Sequence, residues 1–248
     1  MEPVFRTLEL AAALAIRATG TQLTFHGLDN IPTTGGAVMA VNHTGYVDFL
    51  PAALAATARG RRMRFMIKAE MNDVRVVRFL IKHTGTIPVD RSAGGDAYAV
   101  AVRRLREGEL VGVYPEATIS RSFELKEFKS GAARMALEAQ VPVIPLVVWG
   151  AHRIWTKDHP KSLGRNKIPV TVTLGPPLPP VGTADRLEAD LRTAMTALLY
   201  DAQQAYDHPP GAYWVPRRLG GGAPTVAEAQ QMEEAELAER QRRRAGRQ

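Results

Sequence analysis

The sequence predicts an α/β fold, a single domain on a central, mostly parallel or mixed sheet flanked by helices. Three observations carry that prediction. Short apolar runs at residues 37–41, 110–114 and 141–149 alternate with longer stretches whose apolar residues recur every three or four positions. Glycine and proline punctuate the joins. A chain of 248 residues, 45% of them hydrophobic, can bury one core of this kind and still carry appendages.

Residues 1–20 read as an N-terminal helix, because Val4, Leu8, Ala11 or Ala12, and Ala15 fall at helical spacing. It either packs on the domain or lies on a membrane surface. Arg6, Glu9 and Arg17 interrupt it, so it is not apolar enough to span a bilayer. It lacks the basic start and cleavage site of a signal peptide. The domain proper takes residues 21–206. Residues 22–27 form a strand ended by Gly27, and a turn over 30–36 leads into the strand 37–41. Residues 46–58 look helical and 63–67 form a strand. A short helix over 74–83 sets Val74, Val77, Leu80 and Ile81 on one face and Arg75, Arg78 and Lys82 on another. Gly85 ends it before a strand at 86–89, and Gly108 stops the helix 96–107. A buried strand follows at 110–114, then a helix at 131–140, strands at 141–149 and 168–174, and a helix at 183–206 that packs back on the core. Residues 207–248 read as a Pro/Gly-rich linker to Pro224 and a charged tail, either a solvated helix or disordered, with its acids first and its arginines last.

Composition excludes several chemistries. With no cysteine there is no disulfide framework, thiol nucleophile, or Cys-ligated zinc or iron–sulfur centre. The six histidines show no close ligand spacing, so no metal is expected. Net charge is +7 and unevenly spread. Between residues 57 and 106 twelve lysines and arginines oppose four acids. Such a surface is a solvated basic face, or it draws anionic lipid headgroups or an acidic carrier protein. Nucleic acid is not expected as a partner, since aromatics are 6% and no nucleic-acid-binding pattern is present.

The residues that point to chemistry begin with Asn42-His43 and, five positions after the histidine, Asp48. A histidine can take a proton from a hydroxyl near neutral pH. A carboxylate on its far nitrogen fixes the tautomer and stabilises the imidazolium. Residues five apart on one helix point about 140° apart, so His43 and Asp48 can meet only across a bend, which Gly45 supplies. No Gly-x-Ser-x-Gly nucleophile elbow is present.

Three further blocks follow in order: Gly85-Thr86-Ile87-Pro88-Val89-Asp90-Arg91, then Tyr114-Pro115-Glu116-Ala117-Thr118-Ile119-Ser120, then Val141-Pro142-Val143-Ile144-Pro145. With Asn42-His43 and Asp48, this series resembles the glycerolipid acyltransferase family and its N-H-x4-D, G-x-x-P-x-x-R, F-P-E-G-T-R-S and V-P-V-I-P blocks. The resemblance implies acyl transfer from a thioester to the hydroxyl of a lysophospholipid such as 1-acylglycerol 3-phosphate. His43 and Asp48 would be catalytic, and Asn42, Lys68, Arg91, Glu116, Ala117, Thr118 and Arg121 would contact substrate. It implies no cofactor, acyl-CoA or acyl carrier protein as donor, and a peripheral place on the cytoplasmic face of an anionic membrane. Hydrolysis of a thioester and lipid binding without catalysis are the alternatives. Three positions depart from the third block: Tyr114 stands for Phe, Ala117 for Gly and Ile119 for Arg. Ala117 implies either a negative φ or accepted strain. Ile119 removes a phosphate ligand, so either Arg121 supplies the charge or the acceptor differs.

Overall fold

The computed structural model describes residues 3–69, 83–89 and 94–245. The elements are α1 (Pro3–Thr19), β1 (Gln22–His26), β2 (Ala37–Val41), α2 (Phe49–Ala58), β3 (Met63–Lys68), β4 (Ile87–Val89), α3 (Gly94–Arg106), β5 (Leu110–Val113), α4 (Gly131–Ala139), β6 (Val143–Trp149), β7 (Pro169–Leu174), α5 (Ala184–Gln204) and α6 (Val226–Ala245). Of the helix expected over 74–83, residues 74–82 lie outside the described residues, and His83 is helical.

Seven strands form one sheet in the order β1-β7-β6-β2-β5-β3-β4. Every neighbouring pair is parallel except β6 with β7. Every residue of β2, β5 and β6 is buried, the mark of a parallel sheet covered on both faces. Alternation divides them. Val38, Ala40, Val111 and Val113 face α3, α4 and α5, while Ala37, Met39, Val41 and Leu110 face α2. Because β2, β5, β3 and β4 run parallel side by side, their carboxyl ends gather at one edge, where an open α/β sheet places its ligands. His43, Tyr114 and Lys68 all lie at that edge.

Two glycines are demanded by close approach. Gly27 has φ +71°, and a Cβ there would lie 2.3 Å from the carbonyl oxygen of Leu174. A Cβ on Gly45 would come within 2.9 Å of the Trp155 carbonyl. Helix α1 forms a wall against the domain, with Arg62 and Arg64 each 5.0 Å from the centre of the Phe5 ring. Leu10 and Leu14 remain exposed on its outer side. Among the described residues no helix is long and apolar enough to cross a membrane.

Two expectations need correction. Residues 207–224 are no loose linker, because Trp214, Val215 and Ala223 bury themselves against Trp149, Leu199 and Ala202. The large aromatic supplies the anchoring that proline and glycine content conceals. The tail then forms α6, a helix that returns to the site. The basic run is also less free than its count suggests. Arg61 donates to the carbonyls of Pro32, Gly35 and Gly108, and Arg64 to that of Thr84. Arg59, Arg62 and Arg106 pair with Asp29, Glu9 and Glu138.

Candidate active site

The chain leaves β2 at Val41 and turns sharply before α2 begins at Phe49. The helix starts three residues later than its apolar pattern suggests because Asp48 spends its side chain on the turn. Oδ2 accepts N–H bonds from Thr44 and Gly45, each at 2.7 Å. The same oxygen lies 3.2 Å from Nδ1 of His43. Asp48 is fully buried, whereas the His43 side chain is 18% exposed. With Nδ1–H donated to Asp48, a neutral ring keeps its lone pair on Nε2. The ring stacks on Tyr114, centroids 3.9 Å apart and 17° from parallel, so an aromatic at the position of the usual Phe keeps its place.

The turn is braced from other segments. Tyr46 N–H donates to the Trp155 carbonyl at 2.9 Å, and Thr156 Oγ1 to that of Thr44 at 2.7 Å. Glu116 ties the third block to the first, its Oε1 accepting from His43 N–H at 2.8 Å and its Oε2 from Lys126 N–H at 3.0 Å. Burial pushes its carboxyl up to about 7, against the two backbone donors and Lys126, which favour the anion. Asn42 is fully buried, donating from Nδ2 to the Val148 carbonyl at 3.1 Å and accepting from Val148 N–H at 2.7 Å. Both Asn42 and Glu116, read as substrate ligands from the resemblance, thus spend their polar atoms on backbone and position the turn.

In front of His43 lies a cavity of about 1070 Å³. Its walls are mostly apolar, with Phe5, Leu8, Phe49, Leu54, Met63 and Met135 among them. His43, Lys68, Ala117, Thr118 and Ile119 also line it, and Thr84 and Thr86 add hydroxyls. Ala117 has φ +61°, so of the two readings of this substitution the strained one holds. Ile119 is buried and apolar where a guanidinium would fit the family pattern. The N–H groups of Ala117, Thr118 and Ser120 are bonded to Tyr114, Glu116 and His43 carbonyls, which leaves these three unavailable to an oxyanion. Ser120 caps no helix; its hydroxyl donates to the Glu124 carbonyl at 2.7 Å. Arg121 sits outside the cavity lining, paired with Asp158 and Glu236. Arg91 lies outside the described residues. Among the described residues no group of three or more His, Cys, Asp or Glu could hold a metal.

Sequence reasoning missed Lys126, Lys157, Glu233 and Glu236, which meet at the cavity mouth. The spacing of the two glutamates, three apart in an acidic half-helix, was the available signal.

Comparison with known proteins agrees with this geometry. The Acyltransferase family model matches residues 22–149. A 1-acyl-sn-glycerol-3-phosphate acyltransferase of Bacillus subtilis is 29% identical over 123 residues, which are 49% of this chain and 60% of that protein. The enzyme of that name, alpha form, from Bos taurus is 26% identical over 202 residues, 76% of this chain and 68% of the relative. The chain spans about 60% of the length of the first curated relatives it matches. The crystal structure of the 1-acyl-sn-glycerophosphate acyltransferase PlsC from Thermotoga maritima superposes with a TM-score of 0.69 at 20% identity, covering 83% of this chain and 82% of that one, and so shares its fold. Since the family model spans more than half of the 248 residues, including both His43 and Asp48, the chain belongs to the acyltransferase family.

Proposed function

We propose that the protein transfers a fatty acyl group from a thioester to a free hydroxyl of a lysophospholipid, with 1-acylglycerol 3-phosphate as acceptor and phosphatidate as product. One observation carries the reading: a carboxylate-oriented histidine opens onto an apolar cavity large enough for lipid chains. The names of the relatives point the same way.

In this scheme Nε2 of His43 takes the proton of the acceptor hydroxyl, while Asp48 holds the ring and stabilises its charged form. The oxygen attacks the thioester carbonyl, and the tetrahedral species collapses by expelling the thiolate, which leaves with the proton from His43. Donors for the developing oxyanion come from the β4 side, where Thr84 and Thr86 face the cavity, since three N–H groups of the third block are already bonded. Lys68, Arg91 and Thr118 serve the acceptor, and the apolar walls take acyl chains. The donor is acyl-CoA or acyl carrier protein, and no cofactor is required. The enzyme works at the cytoplasmic face of an anionic membrane, touching it with the exposed Leu10 and Leu14 of α1 and the basic face beside it.

Ile119 favours a second acceptor. An apolar wall where a phosphate ligand would fit suits another lysolipid or a glycolipid. Release of free thiol from a long-chain acyl-CoA tests the proposal. Release that requires 1-acylglycerol 3-phosphate supports transfer to that acceptor. Release without any acceptor identifies a hydrolase, release only with a different lysolipid moves the acceptor, and none at all identifies a binding protein.

A further inference from the structure

Arg121 and Lys126, from the loop before α4, and Lys157, from the segment before β7, are all engaged by one helix. Lys126 Nζ donates to both carboxylate oxygens of Glu233 and to Thr118 Oγ1. Arg121 Nη2 lies 2.9 Å from Glu236, and Lys157 Nζ lies 3.2 Å from the same carboxylate. Asp158 completes the group on Arg121 Nε. Three cations therefore face three carboxylates, two of them supplied by α6. Glu233, Glu236 and Leu237 of α6 line the cavity alongside Thr118 and Lys157. The cluster is wired to the catalytic turn, because the Lys126 N–H and the His43 N–H share the two oxygens of Glu116.

The way α6 is attached differs from the way its predecessor is. Residues 207–224 are anchored by Trp214, Val215 and Ala223, and by Arg218 on Glu124 at 2.6 Å. Along α6, among the described side chains, only Ala229 is buried, and Val226, Met232 and Leu237 are exposed. Its hold on the domain is thus mostly ionic. Partly exposed ion pairs are weak and salt-sensitive, so the helix can leave while its anchor stays.

We propose that Arg121, Lys126 and Lys157 form a binding site for a phosphate monoester, and that α6 fills it with Glu233 and Glu236 until a phosphate group displaces them. This rests on the acyl-transfer reading for its biological use and extends it to how the acceptor enters. A phosphate dianion offers oxygens to several cations at once, and Arg121 can bind it through two nitrogens. With α6 seated the site is already neutralised, so headgroup entry and helix departure are one exchange. The phosphate can belong to a free phosphoester or to a lipid headgroup at a membrane surface.

Hydrogen exchange over residues 226–239 of the full chain tests the exchange without relying on turnover. One arm adds glycerol 3-phosphate against sodium chloride of equal ionic strength, and the other adds phosphatidate-containing vesicles against phosphatidylglycerol-containing vesicles, which are anionic but carry only phosphodiesters. Faster exchange with the phosphate-monoester member of either pair supports the site, and the responding arm identifies the source. The Glu233→Gln/Glu236→Gln chain should exchange fast from the start and respond little. Its KM for 1-acylglycerol 3-phosphate should fall about three- to ten-fold with kcat within about two-fold. Glu234→Gln, which alters an exposed neighbour that bonds Gln230, should behave as wild type. Protection of 226–239 that neither probe changes, and that the double variant retains, overturns the proposal. Absence of thiol release from every chain would instead sink acyl transfer and leave the exchange result standing.

Discussion

The turn around His43 and the mouth around Lys126 lie on either side of Glu116, yet different interactions hold them. At the turn, Asn42, Asp48 and Glu116 are buried and bond backbone N–H or carbonyl groups, so His43 has little freedom to move. At the mouth, partly exposed side chains meet partly exposed side chains from a helix whose described side chains include one buried residue, Ala229. The proposed proton-transfer group is held in advance, which is where a small displacement costs most rate. The mouth, where a phosphate headgroup is proposed to bind, can exchange partners. Substitutions at the turn should therefore strike rate, and those toward the mouth should strike acceptor choice.

The largest effect short of removing the base is expected from Asp48→Asn. An amide cannot hold the same tautomer, and kcat should drop by about 10²–10⁴ with KM little changed. A smaller loss would mean that the stack on Tyr114 orients the ring without the carboxylate. Next comes Ile119→Arg, placed between the two regions on the cavity wall. It should lower kcat/KM with the native acceptor roughly ten-fold, since a guanidinium must desolvate against apolar neighbours. A gain with 1-acylglycerol 3-phosphate would favour the second acceptor reading.

Much of this arrangement was legible in the sequence. Apolar runs marked β2, β5 and β6 because strands buried on both faces need continuous hydrophobicity. Asp48 was legible as the partner of His43 because only a bend can join them. Other features depended on contacts distant in sequence. Nothing in the run Arg59 to Arg64 reveals that Arg61 closes onto Pro32, Gly35 and Gly108. Glu116 read as a ligand from the resemblance alone, and its use as a brace needs both N–H donors in place. The tail read as a solvated helix or as disordered because it has few apolar residues to bury, and charge alone does not say which cations it will meet.

Glu116 offers a quieter test of the rigid side. Its carboxyl is raised from 4.5 to about 7 by burial, so the folded chain holds that proton more tightly than the unfolded chain does. Its contribution to stability is therefore most favourable below pH 4.5 and is lost as pH rises to about 7. Thermal unfolding of wild type and Glu116→Gln across that range should show the difference between them shift against wild type as pH rises. A constant difference would mean that the backbone donors hold Glu116 as an ordinary carboxylate.

The smallest effect is expected at Ala117. Its φ of +61° suits glycine, so Ala117→Gly should stabilise the fold by up to about 1 kcal/mol after the greater freedom of the unfolded chain is counted. Denaturant unfolding reads this directly, and a loss of stability would show that the methyl group packs usefully against the cavity.

The proposed role of His43, oriented by Asp48, as the base for acyl transfer is tested by the phosphatidate formed from acyl-CoA and 1-acylglycerol 3-phosphate by wild type and by His43→Ala, with thermal unfolding recorded for both. Wild type should form product, the variant should lose at least about 10²-fold, and the unfolding temperatures should lie within a few degrees of each other. A folded His43→Ala chain that turns over near the wild-type rate would contradict it.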